Sequence, residues 1–180
     1  MPPLFIRGAG AGGMGLHLKW HNDRVAALDI ELGFASAGDA HPIARLSRDL
    51  IETGLGWAYR SDRIAALMAE RETVTLVART RGVAAGFAIM RFGDERAHLI
   101  LLAVEPAHQR RGIARRMFGW LVESAQVAGM TSVHVELRAG NAPALSFYRA
   151  MGFSEMFRVP GYYRGRETAV RMLRMLTTRV

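Results

Sequence analysis

The stretch Val104-Glu105-Pro106-Ala107-His108-Gln109-Arg110-Arg111-Gly112-Ile113-Ala114-Arg115-Arg116 decides the fold. An apolar run, Leu99–Val104, stops at a proline, and a helical pattern starts near Arg111 and lasts to about Ala128. A strand that ends in a turn and opens a helix leaves the first N–H groups of that helix without partners, at the positive end of its dipole. Such an end attracts anions. Gly112 and Ala114 carry little or no side chain, so anionic oxygens can approach the backbone. Arg110, Arg111, Arg115 and Arg116 add charge around it. These residues predict a pyrophosphate cradle; the competing reading is a solvated helix start that happens to be basic.

Outward from the cradle, the hydrophobic periodicity predicts the order β-α-α-β-β-β-α-β-α-β-β. Ala26–Phe34 reads as a strand, and Ser36-x-x-Asp39 as a capping box for a helix reaching Glu52. A loop with Trp57 and Tyr59 leads to a short helix, Asp62–Glu70. Thr73–Arg79 and Val83–Arg91 form a hairpin through Thr80-Arg81-Gly82, followed by the strand Ala97–Val104. Beyond the long helix come a strand at Ser132–Arg138, a helix at Pro143–Met151 closed by Gly152, and strands at Phe153–Phe157 and Thr168–Leu176. This is an α+β domain around one mixed, mostly antiparallel sheet flanked by helices.

The 180 residues suit one domain with a sizeable core. Residues 1–22 stand apart as a glycine-rich arm, with five glycines between Gly8 and Gly15, and the domain proper takes 23–180. With no cysteine, the sequence excludes disulfides, thiolate nucleophiles and Cys-ligated zinc. The six-residue run Leu99–Val104 is far short of a membrane span, and Arg7 followed by glycines does not make a signal peptide. A soluble, cytoplasmic protein with no membrane partner is expected. Net charge is +8, with +7 of it in residues 91–180. That one-sided field favours an anionic partner. The arginines are spread over helix, strands and tail instead of one readable face, which argues against nucleic acid.

Two motifs then carry a family resemblance. Gln109-x-x-Gly112-x-Ala114 resembles the Q/R-x-x-G-x-G/A signature of the GNAT superfamily of acetyl-coenzyme A-dependent N-acetyltransferases. Asn141-x-x-Ala144-x-x-Phe147-Tyr148-x-x-x-Gly152-Phe153 resembles a second motif of that superfamily, in the right order and at the right spacing. Val135–Asn141 with Gly161-Tyr162-Tyr163 looks most like the branch that acetylates ribosomal-protein N-termini.

The resemblance implies a GNAT fold over roughly residues 26–176, with acetyl-CoA as cosubstrate and no metal. In it, Leu102, Ala103 and Val104 pair with the pantetheine arm, and Gln109, Arg110, Arg111, Gly112, Ile113, Ala114 and Arg115 hold the pyrophosphate. Asn141 caps a helix and contacts the cofactor arm. Tyr148 protonates the leaving sulfur; read without the family, it is a buried tyrosine bonded to a backbone carbonyl. The proton on the amine goes to Glu136, on the polar face of its strand, to His98, in phase with Ile100 and Leu102, or to a water chain. Trp57 and Tyr59 wall one side of the acceptor groove and Tyr162 and Tyr163 the other. The expected acceptor is a protein N-terminal amine, with a small-molecule amine or lysine as alternative; other classes left open are an idle acetyl-CoA sensor and a basic nucleic-acid-binding protein. The chain is expected to act as a monomer or homodimer.

Two other patterns lack their context. Gly8-x-Gly10-x-x-Gly13 has no buried strand before it and no helix after it, and His17 and His21 have no third ligand.

Overall fold

A computed structural model describes residues 30–177 of the chain. The glycine arm, the boundary at 22/23, the first residues of the strand expected from Ala26 and the patterns at Gly8–Gly13, His17 and His21 lie outside the described residues.

The element order follows the periodicity: β1 Ile30–Phe34, α1 Ala40–Leu50, α2 Ser61–Ala69, β2 Thr73–Thr80, β3 Val83–Phe92, β4 Arg96–Val104, α3 Ile113–Val127, β5 Ser132–Arg138, α4 Ala142–Ala150, β6 Ser154–Tyr163 and β7 Glu167–Met175. The seven strands form one sheet in the order β1-β2-β3-β4-β5-β7-β6. Every neighbouring pair is antiparallel except β4–β5. The β2–β3 turn is tighter than the sequence suggests. Thr80 pairs with Val83, and Arg81 and Gly82 both take positive φ, as a two-residue hairpin turn of the right twist requires. The last hairpin is longer than expected. β6 continues past Phe157 to Tyr163, because a register shift between Val159 and Tyr163 absorbs Pro160 on an edge strand, where its missing N–H costs no ladder bond.

Two apolar layers sandwich part of this sheet. One packs α3 and α4 onto it through Met117, Phe118, Leu121, Leu145 and Phe153. The other packs α1 and α2 onto β2, β3 and β4 through Ile43, Leu46, Ile64, Val77, Phe87 and Leu101. No residue of β5, β6 or β7 belongs to that second apolar layer; on the α1–α2 side β5 carries the half-buried polar residues His134, Glu136 and Arg138 instead.

One irregularity in β4 sets up everything that follows. Ile89 pairs with Leu101 and Met90 with Leu99, which leaves Ile100 as a bulge. The extra residue flips the alternation: Leu99 points into the α3–α4 layer and Leu101 into the α1–α2 layer. His98 and Leu102, expected in phase, therefore lie on opposite faces.

The capping box at the start of α1 forms as predicted and gains a partner. The Asp39 carboxylate accepts from the Ser36 N–H (2.6 Å), the Ser36 hydroxyl (2.8 Å) and Arg79 on β2 (2.6 Å). Burial alone would raise its pKa, but the two Ser36 hydrogen bonds and the Arg79 guanidinium outweigh burial and hold it below the ordinary 3.8. A carboxyl held low contributes stability above its unfolded pKa and loses it in acid. Asp39→Ala is expected to cost about 1–3 kcal/mol in denaturant unfolding at pH 7. The gap from wild type should narrow as pH falls below 3.8.

Candidate active site

β4 and β5 are held together only at one end. They pair from Arg96–Ser132 to Leu99–Val135 and then part, β4 following β3 and β5 following β7. The parting coincides with the Ile100 bulge. Between the separated ends opens a cavity of about 1010 Å³. Its lining joins Leu101–Val104 of β4, Val135–Arg138 of β5, the start of α3, the start and inner face of α4, and the end of α1.

At one end is the cradle. A short turn over Pro106–His108 leads to Gly112, which caps α3 in the left-handed conformation (φ 77°). A Cβ at Gly112 would meet no atom within 4 Å, so the space in front of it is open, but that conformation is one L side chains rarely adopt. The first backbone bond of α3 runs from the Arg116 N–H to the Gly112 carbonyl. The N–H groups of Gly112, Ile113, Ala114 and Arg115 therefore have no acceptor in the helix. The helix thus starts two residues later than its sequence pattern suggests. Arg110, Gly112, Ile113, Ala114 and Arg115 line the cavity; the exposed Arg111 does not. Gln109 also borders it, but its side-chain amide donates to the Val104 carbonyl (2.9 Å), bracing the turn against the strand. His108, unremarked in the sequence, lines the cavity beside it.

Midway, Asn141 caps α4 as predicted, its Oδ1 accepting from the Ala144 N–H (3.1 Å), while also bordering the cavity. Tyr148, 6% exposed, packs edge-on against Phe147 and Phe153. Burial pushes its phenol well above the usual tyrosine range, so it stays protonated. The backbone-bonded tyrosine anticipated as its alternative reading is not what forms: among the described residues its hydroxyl has no hydrogen-bond partner, and the side chain borders the cavity.

At the far end, on the α1–α2 face of the sheet, Glu136 reaches the cavity and accepts from Arg171 of β7 (2.5 Å). Arg171 lies against the rings of Phe157 and Tyr162. Tyr163 borders the cavity and is pushed up to about 12 by burial and by Glu136. Hydrogen bonding to Glu136 raises Tyr162 as well. His98 keeps an exposed edge and does not line the cavity. Crowding against the sheet desolvates it and lowers its pKa from 6.5, against the pull of Glu136 in the other direction. Both candidate bases thus share one face, with Glu136 nearer the cavity.

The loop from α1 to α2 behaves differently from its sequence reading. Trp57 donates its ring N–H to the Tyr59 carbonyl (3.1 Å) and lies between Arg48 and Arg60. Tyr59 sits under Arg63. Neither ring lines the cavity; Leu50, Ile51 and Leu55 do. What shapes the loop is Glu52, 6% exposed, whose carboxylate accepts from the Ala58 N–H (2.6 Å), the Tyr59 N–H (3.2 Å) and the Ser47 hydroxyl (3.0 Å). A helix-end glutamate carries no such signal in sequence, because its partners are backbone groups six and seven residues on.

The match of the described fold to known proteins is direct. Residues 43–153 match the model of the acetyltransferase (GNAT) family. The chain belongs to that family. Among curated relatives, the [ribosomal protein bS18]-alanine N-acetyltransferase of Escherichia coli is 35% identical over 94 residues, 51% of this chain and 64% of that one. The match thus spans just under two thirds of the relative's length. The N-terminal acetyltransferase B complex catalytic subunit naa20 of Schizosaccharomyces pombe is 36% identical over 66 residues, 37% of each chain. Among solved structures, the ribosomal-protein-S18-alanine N-acetyltransferase of Escherichia coli superposes with a TM-score of 0.71 at 23% identity, covering 84% of this chain and 96% of that one. The yncA protein of Salmonella typhimurium, solved with its cofactor acetyl-CoA, gives 0.71 at 21% identity, covering 85% and 97%. At these identities the superpositions establish the GNAT fold of this chain.

Glu52 is a buried carboxylate whose removal strands two loop N–H groups. Glu52→Ala should speed proteolytic cleavage within residues 53–60 and lower the unfolding midpoint; unchanged cleavage and midpoint would show that the loop holds itself.

Proposed function

We propose that this chain transfers an acetyl group from acetyl-CoA to the N-terminal amine of a protein. The observation that carries the proposal is a single cavity with chemically distinct ends. One end has the unpartnered N–H groups of Gly112–Arg115 with Arg110 and Arg115, and the other has Glu136. The donors at the α3 start fit a pyrophosphate, and β4 at Leu102–Val104 has left β5 and fits an extended arm as its neighbour, with the Val104 carbonyl already accepting from Gln109. The names of the relatives, which act on a ribosomal-protein alanine and on protein N-termini, support the acceptor class.

When bound, acetyl-CoA supplies an activated thioester. The chain's own residues then have two protons to handle. Glu136 takes one from the acceptor ammonium, directly or through water, because it is the carboxylate at the cavity and Arg171 fixes its orientation. Tyr148 gives one to the departing sulfur, because its burial keeps it a phenol and its hydroxyl has no hydrogen-bond partner among the described residues. His98 stands behind Glu136 on the neighbouring strand as a neutral imidazole near pH 7.

Calorimetric titration with acetyl-CoA, with NAD and duplex DNA as controls, is expected to show micromolar binding of acetyl-CoA alone. Absence of binding at millimolar ligand would overturn the proposal. Tyr148→Phe and Glu136→Gln are each expected to retain that binding and to lower kcat on a peptide acceptor about 100-fold or more. His98→Asn is expected to change kcat far less. If instead it abolishes the acid limb of the pH–rate profile below 6.5 while Glu136→Gln stays active, the histidine is the base.

A further inference from the structure

Glu136, Arg171 and Phe157 stand in one row across β5, β7 and β6, as register partners on adjacent strands. The row leads from the amine end of the cavity toward the outer edge of the sheet. Arg171 stands just outside the cavity lining and reaches Glu136 through Nε (2.5 Å). Its terminal nitrogens make no hydrogen bond to a carboxylate or carbonyl among the described residues, and its side chain is 44% exposed. Phe157 and Tyr162, both exposed, have ring centroids 5.4 and 5.7 Å from its guanidinium carbon. Tyr162 in turn stands edge-on to Tyr163, which borders the cavity. An open guanidinium bordered by two rings thus continues the cavity outward from Glu136.

The proton transfers leave the terminal nitrogens of Arg171 unused. Holding Glu136 takes only Nε. What an arginine adds is a planar fork whose donors lie side by side. We infer that Arg171 holds the backbone carbonyl of the acceptor's first residue on a terminal nitrogen while its Nε holds Glu136. This rests on the proposed N-terminal acetylation. In an N-terminal residue the amine nitrogen and the carbonyl carbon are joined through a single Cα. The groups that would receive them are equally close, because the carboxylate and the guanidinium are directly bonded. An α-amine therefore engages both at once, its nitrogen at Glu136 and its carbonyl at Arg171. A lysine side chain has no acceptor atom beside its amine and leaves those donors to water. The bond to the carbonyl is charge-assisted, which makes it stronger than one between neutral groups. Arg171 thus reads the acceptor's backbone, whatever the side chain, and sets an α-amine apart from an ε-amine.

The test varies the distance between amine and carbonyl and nothing else. Peptides beginning with Ala, Ser, Leu or Met are assayed with acetyl-CoA, and the best of them is compared with its β3-homologue. The homologue keeps the side chain on the amine-bearing carbon and sets the carbonyl one methylene farther away. Wild type is expected to favour the α-peptide in kcat/KM by about tenfold or more, and Arg171→Met to compress that ratio about tenfold. Freeing Glu136 alters turnover of both peptides alike, so the ratio reports the carbonyl contact alone. Arg171→Lys keeps the charge without the fork and is expected to lose the discrimination as well. A ratio unchanged in Arg171→Met would overturn the contact and leave N-terminal acetylation intact, with Arg171 serving Glu136 only. Full discrimination in Arg171→Lys would overturn the role of the fork. If none of the four peptides is acetylated although acetyl-CoA binds, the N-terminal reading falls and the contact with it.

Discussion

Parallel pairing between β4 and β5 ends after Leu99–Val135, and the site depends on that ending. A sheet whose strands stay paired has no interior edge. Here the Ile100 bulge turns the remainder of β4 away while β5 stays bonded to β7, and two edges with unspent backbone groups face each other across a gap. Unpaired edges are a liability on a protein surface. Covered by α1, α3 and α4, they become the walls of a cavity instead. The same bulge reverses the side-chain phase of β4, so that Ala97 and Leu99 before it and Leu102 and Val104 after it pack under α3, while Leu101 and Ala103 turn toward α1. One extra residue thus opens the cleft and seats helices on both sides of it.

The two ends of that cleft differ in how they hold charge. The cradle uses backbone: N–H groups at a helix start, reached because Gly112 takes a left-handed φ and Gln109 braces the turn. Its arginines surround it from the outside. The opposite end uses side chains in committed pairs, Glu136 with Arg171 and Arg138 with Glu167, so that a strongly basic chain presents a single carboxylate to the cavity there. Tyr148 lies between them, neutral because it is buried. Backbone donors and a paired carboxylate thereby stand at opposite ends of one space.

Much of this was legible along the chain where the interaction is local. The proline stop, the small residues and the arginines at 104–116 mark the cradle because a helix N-terminus is built from consecutive residues. The Ser36–Asp39 box and the Asn141 cap are likewise four-residue devices, and both form as read. Trp57 and Tyr59, which the resemblance would place on a groove wall, pack against polar and cationic neighbours of their own loop and stand outside the cavity lining.

Sequence by itself determined the element order, the capping of the helices, the turn and helix start at 104–116 and the family motifs, because each follows from residue types spaced within one or two turns. Tertiary structure alone decided the rest. Arg79 finds Asp39 from 40 positions away, Arg171 finds Glu136 from 35, and Arg138 finds the Thr53 carbonyl from 85. The Ile100 bulge depends on which residues of β3 stand opposite, and a run of six apolar residues in sequence cannot show which of them is left unpaired. Long-range pairing fixes which polar groups meet, and it is that meeting, not the residue types, that places Glu136 at the cavity and His98 behind it.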